Sequence, residues 1–383
     1  MDFKLTDEQN ILLDSVRQFI KERFDDTIIE KYDKLGEFPR EIMQALTELD
    51  LMGLSIPEEY GGSNTDYLTQ GLVVEELSKL SGALSFVYII AVIFGGSIIN
   101  RFGSQEQKKA ILPKIASGEC MLALGLTEPG AGSDAGAVQT TAALDGDKFI
   151  INGTKTFCTV AEQSDYIIVG CITNPDVPVY KGLSTILIPP NTKGVSLSKL
   201  DKVGMRYVPT YEVYFKNVEV PAENLLGEFN KGWEQLMQML DMARVMAGLA
   251  AVGMAEAAFE DAAVYANQRV QFDQPIAKFQ AIQHKFADMR MTIDAARLMN
   301  YKCLWMLDNK IPLRYESAAA KAYATEIGFK AIDDAMQIMG GIGYCMASRV
   351  QRLWRDSRLL RIVEGTSEIQ RNIIGQVVLS KYR

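Results

Sequence analysis

The chain has 383 residues, 48% of them hydrophobic and 23% charged, with a formal net charge of −8. This is globular composition with material for two or three units, which excludes a disordered chain. The acidic balance gives no electrostatic basis for a nucleic-acid partner, and one histidine, His284, cannot furnish Ser-His-Asp, Cys-His or multi-histidine metal chemistry.

The first third reads helical. Thr6 and Gln9 form a capping-box pattern ahead of Leu12, Val16, Phe19 and Ile20, which recur at helical spacing. Helices are expected through residues 1–120, broken by a loop at 55–62 that holds Pro57, Gly61 and Gly62. Residues 85–99 are almost wholly apolar, which predicts a segment deep in the fold and too short for a membrane span. With neither a spanning apolar run nor a basic and apolar leader, a cytoplasmic protein is expected. Cys120, Cys158, Cys171, Cys303 and Cys345 are far apart with no CxxC pair, so buried structural thiols are expected and no metal site.

After Cys120 the pattern changes. Lys148-Phe149-Ile150-Ile151 and Thr154-Lys155-Thr156-Phe157 flank Asn152-Gly153, a strong hairpin signal, and Asp145-Gly146 offers a second turn. Further runs at 166–170, 184–188 and 212–215 are rich in β-branched and aromatic residues. A middle β domain over 121–231, a barrel or sandwich, is expected. Helical periodicity returns at 233–267, 279–309 and 315–339, with Gly340-Gly341 as a helix stop. The fold class is therefore α+β and multidomain: an N-terminal α-helical domain (1–120), the β domain, and a C-terminal four-helix bundle (232–383). No GxGxxG follows a predicted strand, which argues against a Rossmann dinucleotide fold.

Three stretches are candidates for chemistry. Leu124 to Asp134, reading LGLTEPGAGSD, sets small residues between Glu128 and the hydroxyls of Thr127 and Ser133. It suits close backbone approach to a ligand, or an ordinary tight loop. Gly340-Gly341-Ile342-Gly343 resembles a phosphate loop or a helix C-cap. Ile362 to Gln370 places Glu364 and Gly365 just before Ser367-x-x-Gln370, a capping-box pattern for a final helix. Glu364 is either a base made competent by burial or a carboxylate near a helix N-terminus. His284 lies in a helical run and reads as a packing or surface residue.

Taken in order, TEPGAGSD, the aromatic-x-Thr segment at 157–159, RVQF at 269–272 and VEGTSEIQR at 363–371 resemble the acyl-CoA dehydrogenase family over nearly the whole chain. The likeness is to its short- and medium-chain type. It is strongest near the crotonobetainyl-CoA reductase and enoyl-CoA reductase branch, through LWRD at 353–356 and the run ending in RVQF. The resemblance implies FAD, an acyl-CoA or enoyl-CoA substrate, electron-transferring flavoprotein as redox partner, and a homo-oligomer built as a dimer of dimers. It assigns Leu124, Leu126, Thr127 and Ser133 to flavin or substrate, and Phe157, Cys158 and Thr159 to the isoalloxazine ring, with Phe157 where many relatives carry Trp. From a neighbouring subunit, Arg269, Gln271, Phe272, Gln280, Gln337, Gly340 and Gly341 reach the rest of FAD. Thr366 and Glu368 join the cofactor set. Ser133, Asp241, Arg244, Phe86, Ile90 and Gly365 contact substrate, although Arg244 on composition alone is equally a helix surface charge.

By the same resemblance Glu364 is the proton-transfer residue. Long-chain and isovaleryl-type members place their base beside the residue matching Arg244, and Ala243 here cannot ionise. The acyl pocket corresponds to 85–99, with Phe86, Val87, Tyr88, Ile89, Ile90 and Phe94 and no Lys or Arg. A second carboxylate on the substrate is therefore disfavoured, and a short, branched, cyclic or aromatic apolar acyl group expected. An oxygen-using acyl-CoA oxidase of the same fold, or a non-catalytic CoA- or FAD-binding assembly protein, are the alternatives.

Overall fold

The computed structural model describes residues 4–24 and 26–382, with the side chains of 91–94 left out. The N-terminal helices are α1 (Asp7–Arg23), α2 (Asp26–Leu35), α3 (Arg40–Glu48), α4 (Tyr67–Leu80), α5 (Gly82–Ile89), α6 (Ile98–Phe102) and α7 (Gln105–Ala116). The capping box at α1 is formed: Thr6 Oγ1 accepts from Gln9 N–H at 3.2 Å, and Gln9 Oε1 accepts from Thr6 N–H at 3.0 Å. The apolar segment continues α5 as a π-helix over Ile90–Ser97, an irregularity concentrated at functional sites. Phe86 and Ile90 are buried as expected, and Phe94 lies outside the described side chains.

The strands are β1 (Leu122–Gly125), β2 (Thr141–Asp145), β3 (Lys148–Thr159), β4 (Tyr166–Ile172), β5 (Leu183–Ile188) after the short α8 (Val179–Gly182), β6 (Val195–Leu200), β7 (Thr210–Pro221) and β8 (Leu225–Leu226). They form one eight-stranded sheet ordered β6-β7-β3-β2-β4-β5-β8, with β1 parallel to β4. The hairpin expected at Asn152-Gly153 is not there. β3 runs straight through it, paired with β7 from Lys148↔Pro221 to Thr159↔Thr210, and the extra residue is absorbed as a bulge between Ile151 and Gly153. Gly153 takes φ +149 and the Asn152 side chain accepts from Asn217 N–H at 2.8 Å, so this pair serves a strand irregularity rather than a turn. The turn is the other candidate: Asp145 pairs with Lys148 around Gly146 at φ +63.

The C-terminal part holds α9 (Gly232–Gln268), a hairpin of β9 (Val270–Gln271) and β10 (Gln274–Pro275), then α10 (Gln280–Asp308), α11 (Arg314–Met339), α12 (Gly341–Tyr344), α13 (Arg349–Leu360) and α14 (Ser367–Ser380). By length and hydropathy α9 passes as a membrane span, but 94% of its apolar stretch is buried and it is the bundle's core helix. It packs on α11, α4 and α10. The approach to α4 demands glycine: a Cβ at Gly253 would sit 2.2 Å from the Glu75 carbonyl oxygen. A buried charge network closes the same seam, with Arg297 on Glu75 at 2.8 Å and Glu256 at 2.6 Å, and Arg290 on Glu256 at 2.7 Å.

Candidate active site

Between α13 and α14 the chain makes a turn in which two consecutive residues are left-handed, Glu364 at φ +55 and Gly365 at φ +85. For glycine this is cheap, but for glutamate it costs about 1–2 kcal/mol. The turn is held through its carbonyls. Gln370 Nε2 donates to both Glu364 O (3.0 Å) and Gly365 O (2.9 Å), Lys321 Nζ donates to Gly365 O (2.7 Å), and Arg244 Nε to Glu364 O (3.4 Å). The expected capping box does not form, and the N-cap lies one residue earlier. Thr366, extended at φ −59 and ψ 164, is the N-cap and accepts from Ile369 N–H, while Ser367 is already helical. Gln370 is not free to close a box, because its amide is spent on the turn's carbonyls.

Three helices therefore converge on Glu364. From α9 come Asp241 and Arg244, paired at 2.6 Å, with Ser317 Oγ of α11 also donating to Asp241 at 3.2 Å. From α11 comes Lys321, 0% exposed. Ala243, beside Arg244, is buried and carries no ionisable group. Burial pushes the Glu364 carboxyl up from the usual carboxylate range, against the opposing pull of Lys321 and Arg244. Burial likewise brings the Lys321 ammonium down to about 8, although Glu364 favours its charged form. The outcome is a carboxyl whose charged form burial disfavours and the neighbouring cations favour.

A second cluster lies where β1 meets β3. Thr156 N–H donates to Thr127 O at 2.8 Å, and Lys155 Nζ donates to Leu126 O at 3.0 Å and to Glu128 Oε1 at 2.7 Å. Glu128 also accepts from the backbone of Gln139 and Thr140. This buried pair ties the strand end, leaving Ser133 exposed and open space around Gly130 and Gly132, where an added Cβ meets nothing within 4 Å. Leu124, Leu126 and Thr127 are half-buried at its edge. Beside them Phe157 sits at φ +58 with 65% of its surface exposed. An aromatic held in strained backbone and presented to solvent suits a planar ligand. Cys158 is buried, its thiol pushed up to about 12 by burial, so it packs and does not act as a nucleophile. Thr159 shares a hydroxyl contact with Thr210 at 3.4 Å.

The remaining candidates lie elsewhere. Arg269 and Gln271 are exposed, and Phe272, on the tip of the β9–β10 hairpin, is 86% exposed and meets Phe279 edge-on. Gln280 opens α10 and is exposed, as are Gln337, Gly340 and Gly341 at the end of α11, where Gly340 caps the helix at φ +63. Glu368 is exposed on the first turn of α14. Arg244 lies in the first half of α9 (Gly232–Gln268), whereas the hairpin follows its C-terminal end: the 24 steps from Arg244 to Gln268 span about 36 Å. Within one chain, then, Arg269 and Glu364 do not face a common small-molecule site.

Lys321 and Lys155 escape a reading of motifs, and Gln370 and Glu128, although within motifs, are not marked there as the partners of the turn carbonyls and of Lys155. Ser317, Lys321 and Thr325 recur at i, i+4 among alanines, and a lysine on such a small-residue face of α11 is the signal that marks Lys321 as inward-pointing.

The chain matches sequence descriptions of the acyl-CoA dehydrogenase N-terminal domain over residues 6–119, its middle domain over 123–218 and its C-terminal domain over 230–379. It is similar to the 3-(aryl)acrylate reductase of Clostridium sporogenes, with 39% identity covering 98% of this chain and 99% of that one. It is also similar to the caffeyl-CoA reductase-Etf complex subunit CarC of Acetobacterium woodii, with 36% identity over 98% and 99%. The solved butyryl-CoA dehydrogenase from Megasphaera elsdenii superposes with a TM-score of 0.95 at 36% identity, covering 99% of this chain and 100% of that one.

Proposed function

This chain belongs to the acyl-CoA dehydrogenase family, and from that premise we propose that Glu364 moves the α-proton while a hydride moves at Cβ of an acyl-CoA or enoyl-CoA thioester. The observation that carries the proposal is the Glu364 turn: a carboxyl raised by burial, faced by Lys321 and Arg244, and locked by four hydrogen bonds to two backbone carbonyls. In the oxidative direction ionised Glu364 takes the Cα proton as the Cα–Cβ double bond forms, and in the reductive direction protonated Glu364 returns it. The Glu364 N–H has no partner among the described residues, which leaves it free to donate to the thioester carbonyl as charge develops there.

The chain is a flavoprotein oxidoreductase of a family whose cofactor is FAD. FAD, when bound, supplies the two-electron acceptor or donor for the hydride. The open space at Gly130 and Gly132 and the exposed Phe157 ring fit the ring end, with Leu124, Leu126, Thr127, Ser133 and Thr159 around it. Arg269, whose guanidinium fork matches phosphate oxygens, fits the pyrophosphate, with Gln271, Phe272, Gln280, Gln337, Gly340 and Gly341. The separation along α9 supports a site shared between two copies and hence a homo-oligomer, in keeping with a dimer of dimers. Thr366 and Glu368 stand beside Glu364 at the start of α14.

Arg244, Asp241, Ser133 and Gly365 receive the CoA thioester, and the apolar wall of Phe86 and Ile90 the acyl group. No Lys or Arg lies between residues 82 and 99, which favours an apolar or aromatic acyl chain over one ending in a carboxylate. The name of the Acetobacterium relative supports electron-transferring flavoprotein as the redox partner. The test is anaerobic mixing of the yellow holoenzyme with aliphatic, branched and aryl acyl-CoAs, and of the reduced enzyme with the matching enoyl-CoAs. Wild type bleaches or regains colour with at least one of them. Glu364→Gln, which keeps the shape, slows this by about 10²–10⁴-fold, and wild-type rates in that variant refute the assignment.

A further inference from the structure

We propose that Lys321 is the positioning residue of this site: it pins the Glu364–Gly365 turn through the Gly365 carbonyl and supplies the positive charge whose field falls on the Glu364 carboxyl. The inference rests on the role given above to Glu364. Lys321 is wholly buried, and its one side-chain hydrogen bond among the described residues is the 2.7 Å bond to Gly365 O. No carboxylate lies within ion-pair distance of it among those residues. A buried ammonium without an ion-pair partner is expensive. What compensates it here is the charge on Glu364, its largest attractive influence.

The other charged groups around Glu364 are already engaged. On α9, Arg244 is paired with Asp241 at 2.6 Å. Glu326 of α11 is held by Arg371 of α14 at 2.6 Å, and Glu368 on α14 is exposed. Arg361, which follows α13, and Arg314, which opens α11, act on Glu326 and on the Asp241–Arg244 pair. Lys321 is thus the nearby cation with no ion-pair partner of its own, and together with Arg244 it favours the ionised form of Glu364. The same ammonium restrains a glutamate in left-handed backbone, so one side chain sets both where the carboxyl sits and when it is charged.

Lys321→Met and Lys321→Arg separate these roles. Loss of a nearby opposite charge raises a carboxyl, by about one unit or more when the charge lies within about 4–6 Å. In Lys321→Met the acid limb of acyl-CoA-driven flavin reduction moves up by about one pH unit, and the rate one unit below the wild-type limb falls about tenfold. KM for acyl-CoA changes less than the rate. Enoyl-CoA reduction, which needs protonated Glu364, extends to higher pH. Lys321→Arg keeps the charge and leaves the acid limb where wild type has it.

Infrared difference titration of the Glu364 carboxyl in the holoenzyme, with Glu364→Gln as the blank, gives a readout independent of turnover, and its midpoint rises in Lys321→Met. An unshifted midpoint in Lys321→Met overturns the proposal, as does a shifted one in Lys321→Arg. The arginine variant tests the idea even if the methionine variant does not fold. If no thioester changes the colour of wild type, it is the proposed reaction that fails, and the infrared midpoints still decide on Lys321.

Discussion

Replacing Lys155 with Met removes the ammonium that bonds Glu128 Oε1 at 2.7 Å and Leu126 O at 3.0 Å, in a pair whose side chains are almost wholly buried. Glu128 then keeps only the backbone N–H groups of Gln139 and Thr140. Burial works to raise this carboxyl, and the charge and hydrogen bond of Lys155, with hydrogen bonds from Thr140, outweigh it, so that Glu128 now sits below its usual range. Without Lys155 the carboxyl escapes by taking up a proton. At pH 7 that costs about 1.36 × (7 − 4.3), or about 3.7 kcal/mol, within the roughly 3–5 kcal/mol expected when one member of a buried pair is removed. At roughly 2–4 °C per kcal/mol, the melting temperature falls by roughly 7–15 °C at pH 7.

The sign with pH follows from the same proton. Wild-type Glu128 contributes stability above its unfolded pKa and loses it as pH falls, whereas the variant's Glu128 is already protonated, so the deficit shrinks as pH approaches the carboxylate range. Circular-dichroism melts at pH 7.5 and pH 5 measure this, and Glu128→Gln with Lys155→Met restores most of the loss. A variant melting within about 2 °C of wild type, or a deficit that does not narrow on acidification, refutes the reasoning.

Two further outcomes follow from the charge network and the helix geometry. Burial opposes ionisation of Glu256, but hydrogen bonds and charge from Arg290 and Arg297 hold it down to about 2; its contribution is whole above the unfolded carboxylate pKa and is lost from about pH 4.5 toward pH 2. Glu256→Gln is accordingly less stable than wild type at pH 7 and the two converge near pH 2, while melting curves that stay parallel across that range contradict the assignment. If FAD is shared between copies, Arg269→Ala and Glu364→Gln chains assembled together under separate tags regain activity that neither has alone, because one site in each hybrid pair combines an intact Arg269 with an intact Glu364. Hybrids no more active than the mean of their parents point to a site within one chain.

What local sequence revealed, and what it did not, divides along the range of the forces involved. The helical, β, helical order was legible because periodicity is local, and the Thr6–Gln9 box because both partners sit within one turn. Asn152-Gly153 misled because the hairpin signal is local too, while the strand that overrides it, β7, lies some sixty residues on and pairs with β3 along its whole length. At α14, Thr366 and Ser367 are adjacent hydroxyls, and the choice of cap turned on Gln370, whose amide is drawn away to the Glu364 and Gly365 carbonyls.

The candidate site repeats the division. Residues 363–371 are contiguous, so Glu364 stands out in the chain. Its electrostatic setting comes from Arg244 and Lys321, 120 and 43 positions away, and no spacing announces that they meet. Lys321 was legible only as an inward lysine on a face of small residues, since what it faces depends on α9, α11 and the turn after α13 arriving together. If Lys321 acts on Glu364 as proposed, a chain with the same 363–371 segment but a neutral residue at 321 would carry an identical motif and a Glu364 carboxyl titrating at higher pH. On the proposed assignment, the motif marks which atom takes the proton, and the packing of α11 against the turn shifts the pH at which it does so.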